Sequence, residues 1–286
     1  MSTSTAVYTN SAGISFDLLD FSQVRLKSAQ LHKYAWKAKG TAYKFGELLQ
    51  TFTKDVQEYS AVLKVFGNES ERKAKLNAFH DAAEHDIMTM SPGKLVVDGY
   101  TIECYVVESD TSAPDDQRLE STNEVLIYCP YPFWIKETKY EIHTAGAHVI
   151  IDGLDFPFDL PCDLGVSGYR QEIPFETTIP LDFRMVIYGE AVNPGIFING
   201  HLYQVNITVP VGSVLTISSI EKNDREKSVT LRYPSGAESS VLYARNRDSY
   251  IFEPIITYNG KIIVSTVQTL DFDLYIIEKR SEPKWT

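Results

Sequence analysis

Two side chains with metal-binding chemistry lie one helical turn apart, at His80 and Glu84. Residues at positions i and i+4 of a helix share a face, so an imidazole and a carboxylate there can approach one ion. Zinc sites take three or four protein ligands, and no third ligand follows at a usual spacing. We therefore interpret the two residues as an ordinary exposed pair and expect no metal site.

Pairs of acidic residues, such as Asp152 with Asp155 and Asp271 with Asp273, suggest the acid and base of a glycoside hydrolase. That mechanism requires two carboxyl groups roughly 5 to 9 Å apart across a sugar-sized cleft, and sequence spacing does not establish such a distance. A chain with 38 acidic residues contains pairs of this kind by chance. We expect Asp271 and Asp273 to lie on the outward face of a strand whose alternate residues point inward.

Other catalytic signatures are missing from the sequence. The P-loop, the dinucleotide-binding fingerprint, GxSxG and HExxH do not occur, and each absence removes a class of reaction. Cys104, Cys129 and Cys162 are far apart and form no CxxC pair, so neither a zinc knuckle nor a disulfide framework is indicated. We interpret them as reduced core thiols of a protein made in a cytoplasm. The sequence therefore predicts a protein that is not an enzyme and has no cofactor.

The net charge of −11 argues against general binding to nucleic-acid backbones, which requires clustered Lys and Arg. An acidic surface is most often that of an ordinary soluble protein, and it also suits the wall of a channel through which DNA passes without being bound. No apolar run approaches a membrane-spanning length, and the N-terminus has no apolar signal segment, so we expect no membrane insertion.

One basic stretch allows two interpretations, a solvated arm or loop, or a contact with an acidic neighbouring subunit. Its members are Arg25, Lys27, Lys33, Lys37, Lys39 and Lys44.

The first half of the sequence predicts β-structure with one helix. Residues 58–67 alternate between apolar and polar types, as a half-buried strand does. Residues 68–86 predict a helix, with Asn68 as the N-cap and Glu71 completing a capping-box pattern. Its apolar stripe consists of Leu76, Phe79, Ala83 and Ile87. We expect three charged residues to face outward, Glu71, Arg72 and Lys75.

Turn signals predict hairpins in both halves. Asp98-Gly99 and Asn199-Gly200 each lie between alternating runs of β-forming residues, and such dipeptides are the strongest short-range hairpin signals. From residue 182 onward the sequence consists almost wholly of short strands, which is typical of an antiparallel sandwich or barrel. We therefore expect an N-terminal domain of residues 1–140 and a C-terminal β-domain of residues 141–286.

An aromatic cluster interrupted by prolines contains Tyr131, Phe133 and Trp134. It could stack on a sugar or a base, or form the buried seam between two domains. We favour the seam, because prolines fix the direction of the chain and aromatic side chains fill the gap. A weaker ligand-binding candidate lies in the second half, where an aromatic ring beside polar groups would suit a sugar; its residues are Tyr243, Arg245, Asn246 and Arg247.

Four stretches carry motifs in a recognisable order. Cys-Pro-x-Pro-Phe-Trp ends a strand at residues 129–134, and Leu-Asp-Phe-Pro-Phe-Asp-Leu occupies residues 154–160. Residues 184–217 follow the pattern strand, Asn-Pro, strand, Gly, Tyr, strand, and residues 278–285 read EKRSEPKW. In this order and spacing, they resemble the distal tail protein (Dit) family, the baseplate hub proteins of long-tailed bacteriophages. The resemblance runs through most of the chain.

The resemblance implies an N-terminal β-rich domain with one helix, which assembles as a ring, expected to be a hexamer, around a central channel. It implies a C-terminal galectin-like β-sandwich that projects outward. The domain seam would then contain Tyr131, Phe133, Trp134, Phe156 and Phe158.

The function implied is that of a structural virion protein in the phage tail tip, made in the bacterial host cytoplasm. Its ring would join the tail tube protein to the tail-associated tip protein and let DNA pass without binding it specifically. Receptor-binding or side-fibre proteins would attach to the outer domain. The alternative function is a carbohydrate-binding module that recognises host cell-wall polysaccharide.

Overall fold

The computed structural model describes residues 5–112, 119–144, 149–152, 166–222 and 226–284. Within these residues the chain is mainly β, and α1 (Glu69–Met88) is the α-helix. The predicted fold class, antiparallel β-structure with one helix, is therefore confirmed.

The chain forms two compact units. The first consists of Met1–Lys136 together with Lys279–Thr286, and the second of Glu137–Glu278. The strands of the first unit are, in chain order, β1 (Ala6–Thr9), β2 (Ser15–Asp17), β3 (Val24–Ala29), β4 (Lys37–Ala42), β5 (Glu47–Thr53), β6 (Gln57–Phe66), β7 (Gly93–Val97), β8 (Tyr100–Thr111), β9 (Glu120–Cys129) and the first residues of β10 (Trp134–His143).

Two antiparallel sets of strands in the first unit share β8. One set has the order β3, β6, β9, β8, and the other has the order β2, β1, β7, β8. The register of β8 against β9 shifts between Val106 and Glu108. Such a β-bulge bends a strand, and it lies where β8 passes from pairing with β7 to pairing with β9.

The core of the first unit lies between its strands and α1. Buried side chains alternate along β6, as predicted for residues 58–67. The helix contributes Phe79, whose ring centroid lies 5.7 Å from that of Tyr8 and 5.4 Å from that of Phe16. All three rings are buried, so this aromatic cluster attaches the helix to β1 and β2.

The start of α1 follows from its sequence. The Asn68 side chain accepts a hydrogen bond from the Glu71 N–H at 2.9 Å, and the Glu71 carboxylate accepts one from the Asn68 N–H at 2.9 Å. This reciprocal pair satisfies two amide groups that a helix start otherwise leaves unpaired. The predicted capping box is confirmed.

The prediction that Arg72 faces outward is wrong. Its side chain is buried, and its guanidinium donates to the Gly67 carbonyl at 2.9 Å. Lys75 is half-buried and donates to the Phe66 carbonyl at 2.8 Å. Both side chains point inward because they donate hydrogen bonds to carbonyl groups at the connection between β6 and α1. Ile87 is instead exposed, so the buried stripe ends before it.

The second unit continues β10 and adds twelve strands. These are β11 (Val149–Asp152), β12 (Val166–Pro174), β13 (Asp182–Tyr188), β14 (Ala191–Val192), β15 (Gly195–Ile198), β16 (His201–Gln204), β17 (Thr208–Val209), β18 (Val214–Ser218), β19 (Ser228–Arg232), β20 (Glu238–Ser240), β21 (Lys261–Thr266) and β22 (Asp271–Arg280). The last two residues of β22 belong to the first unit.

Two sheets enclose the core of the second unit. One contains β22, β13, β18, β19 and β20 in that order, and the other contains β11, β12, β21, β15 and β16. Phe183, Leu215 and Phe272 from the first sheet join Ile196 and Val264 from the second in one buried cluster. Two antiparallel sheets around one core form a sandwich.

Both predicted hairpin turns are confirmed. Asp98 and Gly99 connect β7 to β8 with φ values of 48° and 81°, and Asn199 and Gly200 connect β15 to β16 with φ values of 50° and 83°. Two-residue hairpin loops of the favoured type require positive φ at both central positions, which Asn, Asp and Gly tolerate best.

Asp271 and Asp273 both lie on the outer face of β22, as expected, because the alternate residues Phe272 and Leu274 join the buried cluster. Asp271 is exposed, whereas Asp273 is covered and accepts a hydrogen bond from the Tyr188 hydroxyl at 2.6 Å. Lys139 Nζ lies 3.0 Å from the same carboxylate. Burial acts to raise the pKa of Asp273, but the bonds from Tyr188 and Lys139 outweigh it and hold that pKa below its usual value. Both partners of Asp273, Tyr188 and Lys139, belong to the second unit.

Replacing the aromatic core of α1 tests the packing of the first unit. We expect Phe79→Ala to lower the free energy of unfolding of that unit by about 3–5 kcal/mol, because it removes a buried ring and leaves a cavity. Urea unfolding followed by circular dichroism measures the change. Asn77→Ala, at an exposed position of the same helix, should change it by less than about 0.5 kcal/mol. Equal effects of the two substitutions would contradict the placement of the helix.

Candidate assembly surface

The most unusual element of the chain is a hairpin with almost no buried side chains. β4 and β5 pair with each other and form a separate two-stranded sheet. We call this hairpin, residues 37–53, the arm. Its sequence is KAKGTAYKFGELLQTFT, and nearly every residue in both strands is exposed.

The tip of the arm is a tight turn with two exposed aromatic residues. The Tyr43 N–H donates to the Gly46 carbonyl at 2.9 Å, and Gly46 has a φ of 86°, which side chains other than glycine rarely adopt. The turn directs Tyr43 and Phe45 into solvent, where they are 75% and 86% exposed. Lys44 lies between them, with its ammonium group 5.4 Å from the centroid of the Phe45 ring.

Near its base, the two sides of the arm differ in polarity. Lys37 pairs with Thr53 and Lys39 with Thr51, whereas Ala38 pairs with Phe52. Directly paired residues of an antiparallel sheet point to the same side, so the two lysines and their threonine partners form one side of the arm near its base. A register shift between Lys39 and Gly40 then marks a β-bulge.

The exposed apolar residues of the arm need a partner. Leu48, Leu49 and Phe52 are 64%, 48% and 56% exposed, in addition to the aromatic residues of the tip. Leu49 and Phe52 lie on one side of the arm and Leu48 on the other, and large apolar side chains exposed in this number on one hairpin are typical of an interaction site. The two outer edges of the arm also present backbone groups without strand partners among the described residues, and proteins normally cover such edges. The arm therefore has the properties of an assembly element.

A lysine enclosed by aromatic rings holds the root of the arm. Lys54 Nζ lies 4.7 Å from the centroid of the Phe133 ring and 5.7 Å from those of Tyr34 and Trp36. It also donates to the Pro132 carbonyl at 2.5 Å. Burial lowers the pKa of Lys54 to about 8. These contacts connect the arm to the segment that precedes β10.

The C-terminal segment of the first unit also contacts this root. Trp36 Nε1 donates to Ser281 Oγ at 3.2 Å, and Lys279 Nζ lies 5.4 Å from the centroid of the Phe133 ring. His32 Nδ1 lies 3.6 Å from the Glu282 carboxylate. The position of the arm thus depends on residues from three separate parts of the chain.

The structure places the predicted aromatic cluster at this root. Trp134 is completely buried, and its indole N–H donates to the Tyr59 hydroxyl at 3.0 Å, so its ring cannot stack on a ligand. The Phe133 centroid lies 5.2 Å from that of Tyr131 and 5.8 Å from that of Trp36. Phe156 and Phe158 lie outside the described residues. The role of the five residues as a domain seam stays a prediction.

The weaker ligand-binding candidate lies beside a 3₁₀ helix, Leu242–Ala244. Tyr243 is 73% exposed. The Arg245 guanidinium donates to the carbonyl of Leu242 at 3.2 Å, and the Asn246 amide donates to the Gln204 side chain at 2.8 Å. Two of the predicted polar groups therefore bond within the protein. Arg247 is exposed, and ligand binding by these four residues stays a prediction.

The remaining sequence candidates lie apart from the arm. His80 Nε2 lies 3.4 Å from both Ser109 Oγ and Asn123 Nδ2, and burial lowers the pKa of His80 although Glu84 opposes the shift. In the described part of the chain, no three His, Cys, Asp or Glu residues are grouped so that they could hold a metal ion. Asp155 falls outside that part.

The predicted core position is confirmed for two of the three cysteines. Cys104 and Cys129 are buried, and burial raises the pKa of each thiol. Cys162 lies outside the described residues. Among the described helices, none has the length and apolar character needed to cross a membrane.

The apolar surface of the arm was not found by sequence reasoning, which noted only its lysines. A signal was present, because Tyr43, Phe45, Leu48, Leu49 and Phe52 occur within ten residues around a Gly-containing turn. Sequence patterns alone do not distinguish such a hairpin from one that packs on a core.

The chain shares its fold with solved phage proteins. It superposes on Dit of phage SPP1, a paradigm of the hub adsorption apparatus in Gram-positive infecting phages, with a TM-score of 0.52 and 12% identity over 96% of this chain and 98% of that one. For a chain of the phage P2 baseplate in its activated conformation with Ca, the TM-score is 0.55 and the identity 11%, over 99% of this chain and 100% of that one. For the corresponding phage p2 structure with Sr, the TM-score is 0.53 and the identity 11%, over 97% of this chain and 98% of that one.

The similarity to these phage proteins is not found when the amino-acid sequence alone is compared. No protein-family model matches it, and no curated protein matches it. The structural likeness nevertheless spans nearly the whole of this chain and of each solved chain. It confirms the mainly β, Dit-like fold that the resemblance implied.

The lysine at the root of the arm should make stability depend on pH. Because the pKa of Lys54 is lowered to about 8 in the folded protein, the unfolded chain binds more protons above that pH, and stability then rises with pH. We expect the free energy of unfolding of the wild type, relative to Lys54→Met, to rise between pH 7 and pH 10. Chemical unfolding at several pH values measures this difference. Lys73→Met, at an exposed position, is the control, and an identical pH profile for both variants would contradict the half-buried position of Lys54.

Proposed function

We propose that this chain is a structural protein of a phage tail baseplate that assembles into a ring, expected to contain six copies. The ring joins the tail tube to the tail-tip and receptor-binding apparatus and lets DNA pass through its central channel. The observation that carries the proposal is the arm, because its exposed apolar side chains and free edges are suited to a contact between copies.

The fold supports the same function. The solved chains with this fold include a Dit protein named for the hub adsorption apparatus and chains of a phage baseplate. Because the likeness covers both units of this chain, the proposal applies to the whole protein rather than to one domain. We place the ring contacts in the first unit, which carries the arm, and assign the second unit to a galectin-like outer domain.

The partners follow from this arrangement. The tail tube protein contacts one side of the ring and the tail-associated tip protein the other, while receptor-binding or side-fibre proteins attach to the outer domain. DNA crosses the channel without specific binding, since a protein with a net charge of −11 repels a polyanion. The protein is made in the bacterial host cytoplasm and functions in the virion.

A non-enzymatic role agrees with the geometry of the polar residues. Asp273 is hydrogen-bonded to Tyr188, and Asn246 to Gln204, within the second unit. These bonds connect loops and strands of the second unit. The alternative, recognition of cell-wall polysaccharide around Tyr243, has less support because Arg245 and Asn246 bond to neighbouring groups of the protein.

Changing the apolar residues of the arm tests the proposal. We expect the wild type to form a species of six times the chain mass of 32.3 kDa, and Phe45→Asp combined with Leu48→Asp to be monomeric, because the charges oppose burial of the arm in a contact. Mass photometry at low and high salt, over a range of protein concentrations, measures the distribution of species.

The matched control places the same charges at exposed apolar positions outside the arm. Val211 and Val267, in the second unit, are 70% and 54% exposed. Val211→Asp combined with Val267→Asp should keep the wild-type mass distribution, and the circular dichroism spectra of both double variants should match that of the wild type, which shows that each variant folds. A monomeric wild type at every concentration and salt would overturn the proposal that the chain forms rings by itself.

A further inference from the structure

One face of the first unit has the shape and charge to receive the arm of another copy. The sheet of β6, β9 and β8 packs α1 on its inner side, and its outer side carries two rows of side chains across the three strands. One row is Ser60, Leu126 and Glu108, and the other is Val62, Glu124 and Asp110. We call these six residues the acidic face.

The middle of the acidic face is apolar and only partly covered. Val62 and Leu126 are half-buried, whereas Glu108, Asp110 and Glu124 are exposed. All six residues line one depression of the surface. The β-bulge directly before Glu108 increases the local twist of β8.

The carboxylates of the acidic face form no ion pair with the basic side chains that the structure describes. Glu124 and Asp110 lie directly opposite each other on paired strands, and like charges in that arrangement repel. Neither they nor Glu108 forms an ion pair with a residue that the structure describes. The nearest basic residue of β6, Lys64, is engaged with Glu120 at 2.8 Å. A cation from outside would relieve this repulsion.

The arm has the complementary properties. Lys39 in β4 and Lys44 at the tip form no ion pair with a described residue of their own chain, and Phe45, next to Lys44, is 86% exposed. An apolar tip with one lysine beside it and another along the arm thus complements an apolar centre with carboxylates around it. The arm of the same copy leaves its tip in solvent, so the tip is available to a different copy.

We propose that the acidic face of one copy binds the arm tip of a second copy, with Phe45 against Val62 and Leu126 and with Lys39 and Lys44 beside the carboxylates. This inference rests on the proposed function, and it names the two surfaces that meet in the ring. The six residues of β4 span roughly 20 Å at about 3.4 Å per residue. That length places the tip of the arm well away from its root.

The proposed contact joins two different surfaces, the arm of one copy and the acidic face of the next. Such head-to-tail contacts are the geometry from which closed rings form.

Charge reversal on both surfaces tests the pairing. The arm variant is Lys39→Glu with Lys44→Glu, the face variant is Glu108→Lys with Glu124→Lys, and the third variant carries all four changes. We expect each two-residue variant to weaken association at least about tenfold, and the four-residue variant to recover most of it, because the reversed charges again attract. Sedimentation velocity at low salt measures the association constants, and thermal unfolding checks that every variant folds.

A control of equal charge change uses carboxylates of the second unit. Glu226→Lys with Glu238→Lys alters exposed residues and should leave association unchanged. An oligomeric wild type whose association is unaffected by the face variant, or is not restored in the four-residue variant, overturns this inference and leaves the proposed ring intact. A wild type that never associates overturns the proposed self-assembly as well.

Discussion

The enclosure of Lys54 by three aromatic rings is the contact on which the position of the arm depends. A two-stranded hairpin without a core is at best marginally stable by itself, and the arm buries almost nothing along its own strands. Its direction is therefore set where it joins the first unit. There the ammonium group of Lys54 meets the Phe133 ring and the Pro132 carbonyl, and Trp36 bonds to Ser281. A cation at this position both satisfies a carbonyl and packs against rings.

Attaching the arm in this way explains why prolines and aromatic residues cluster before β10. Pro132 fixes the backbone so that its carbonyl faces Lys54, and Phe133 covers the lysine from one side. The next residue, Trp134, points the other way and fills the core beside Tyr59. Alternation along an extended chain thus gives neighbouring residues two separate roles, one for the arm root and one for the core.

Local features of the fold could be predicted from the sequence because neighbouring residues determine them. The capping pair of Asn68 and Glu71 and the Asn199-Gly200 turn depend on bonds and φ angles within a few residues. Arg72 was misplaced because its burial depends on a carbonyl five residues away and on the surrounding fold. The acidic face could not be predicted either, since its rows combine residues from three strands that only the tertiary structure aligns.

The distribution of charge connects solubility with assembly. A net charge of −11 makes copies of the chain repel each other at long range, and this repulsion keeps an exposed apolar hairpin from unspecific aggregation. The arm is the exception, because Lys37, Lys39 and Lys44 outnumber the single acid Glu47 along its length. The arm is therefore a basic element of an acidic protein. A contact between the basic arm of one copy and an acidic surface of another favours one relative orientation of the two copies. A closed ring requires that the same orientation be repeated at every contact.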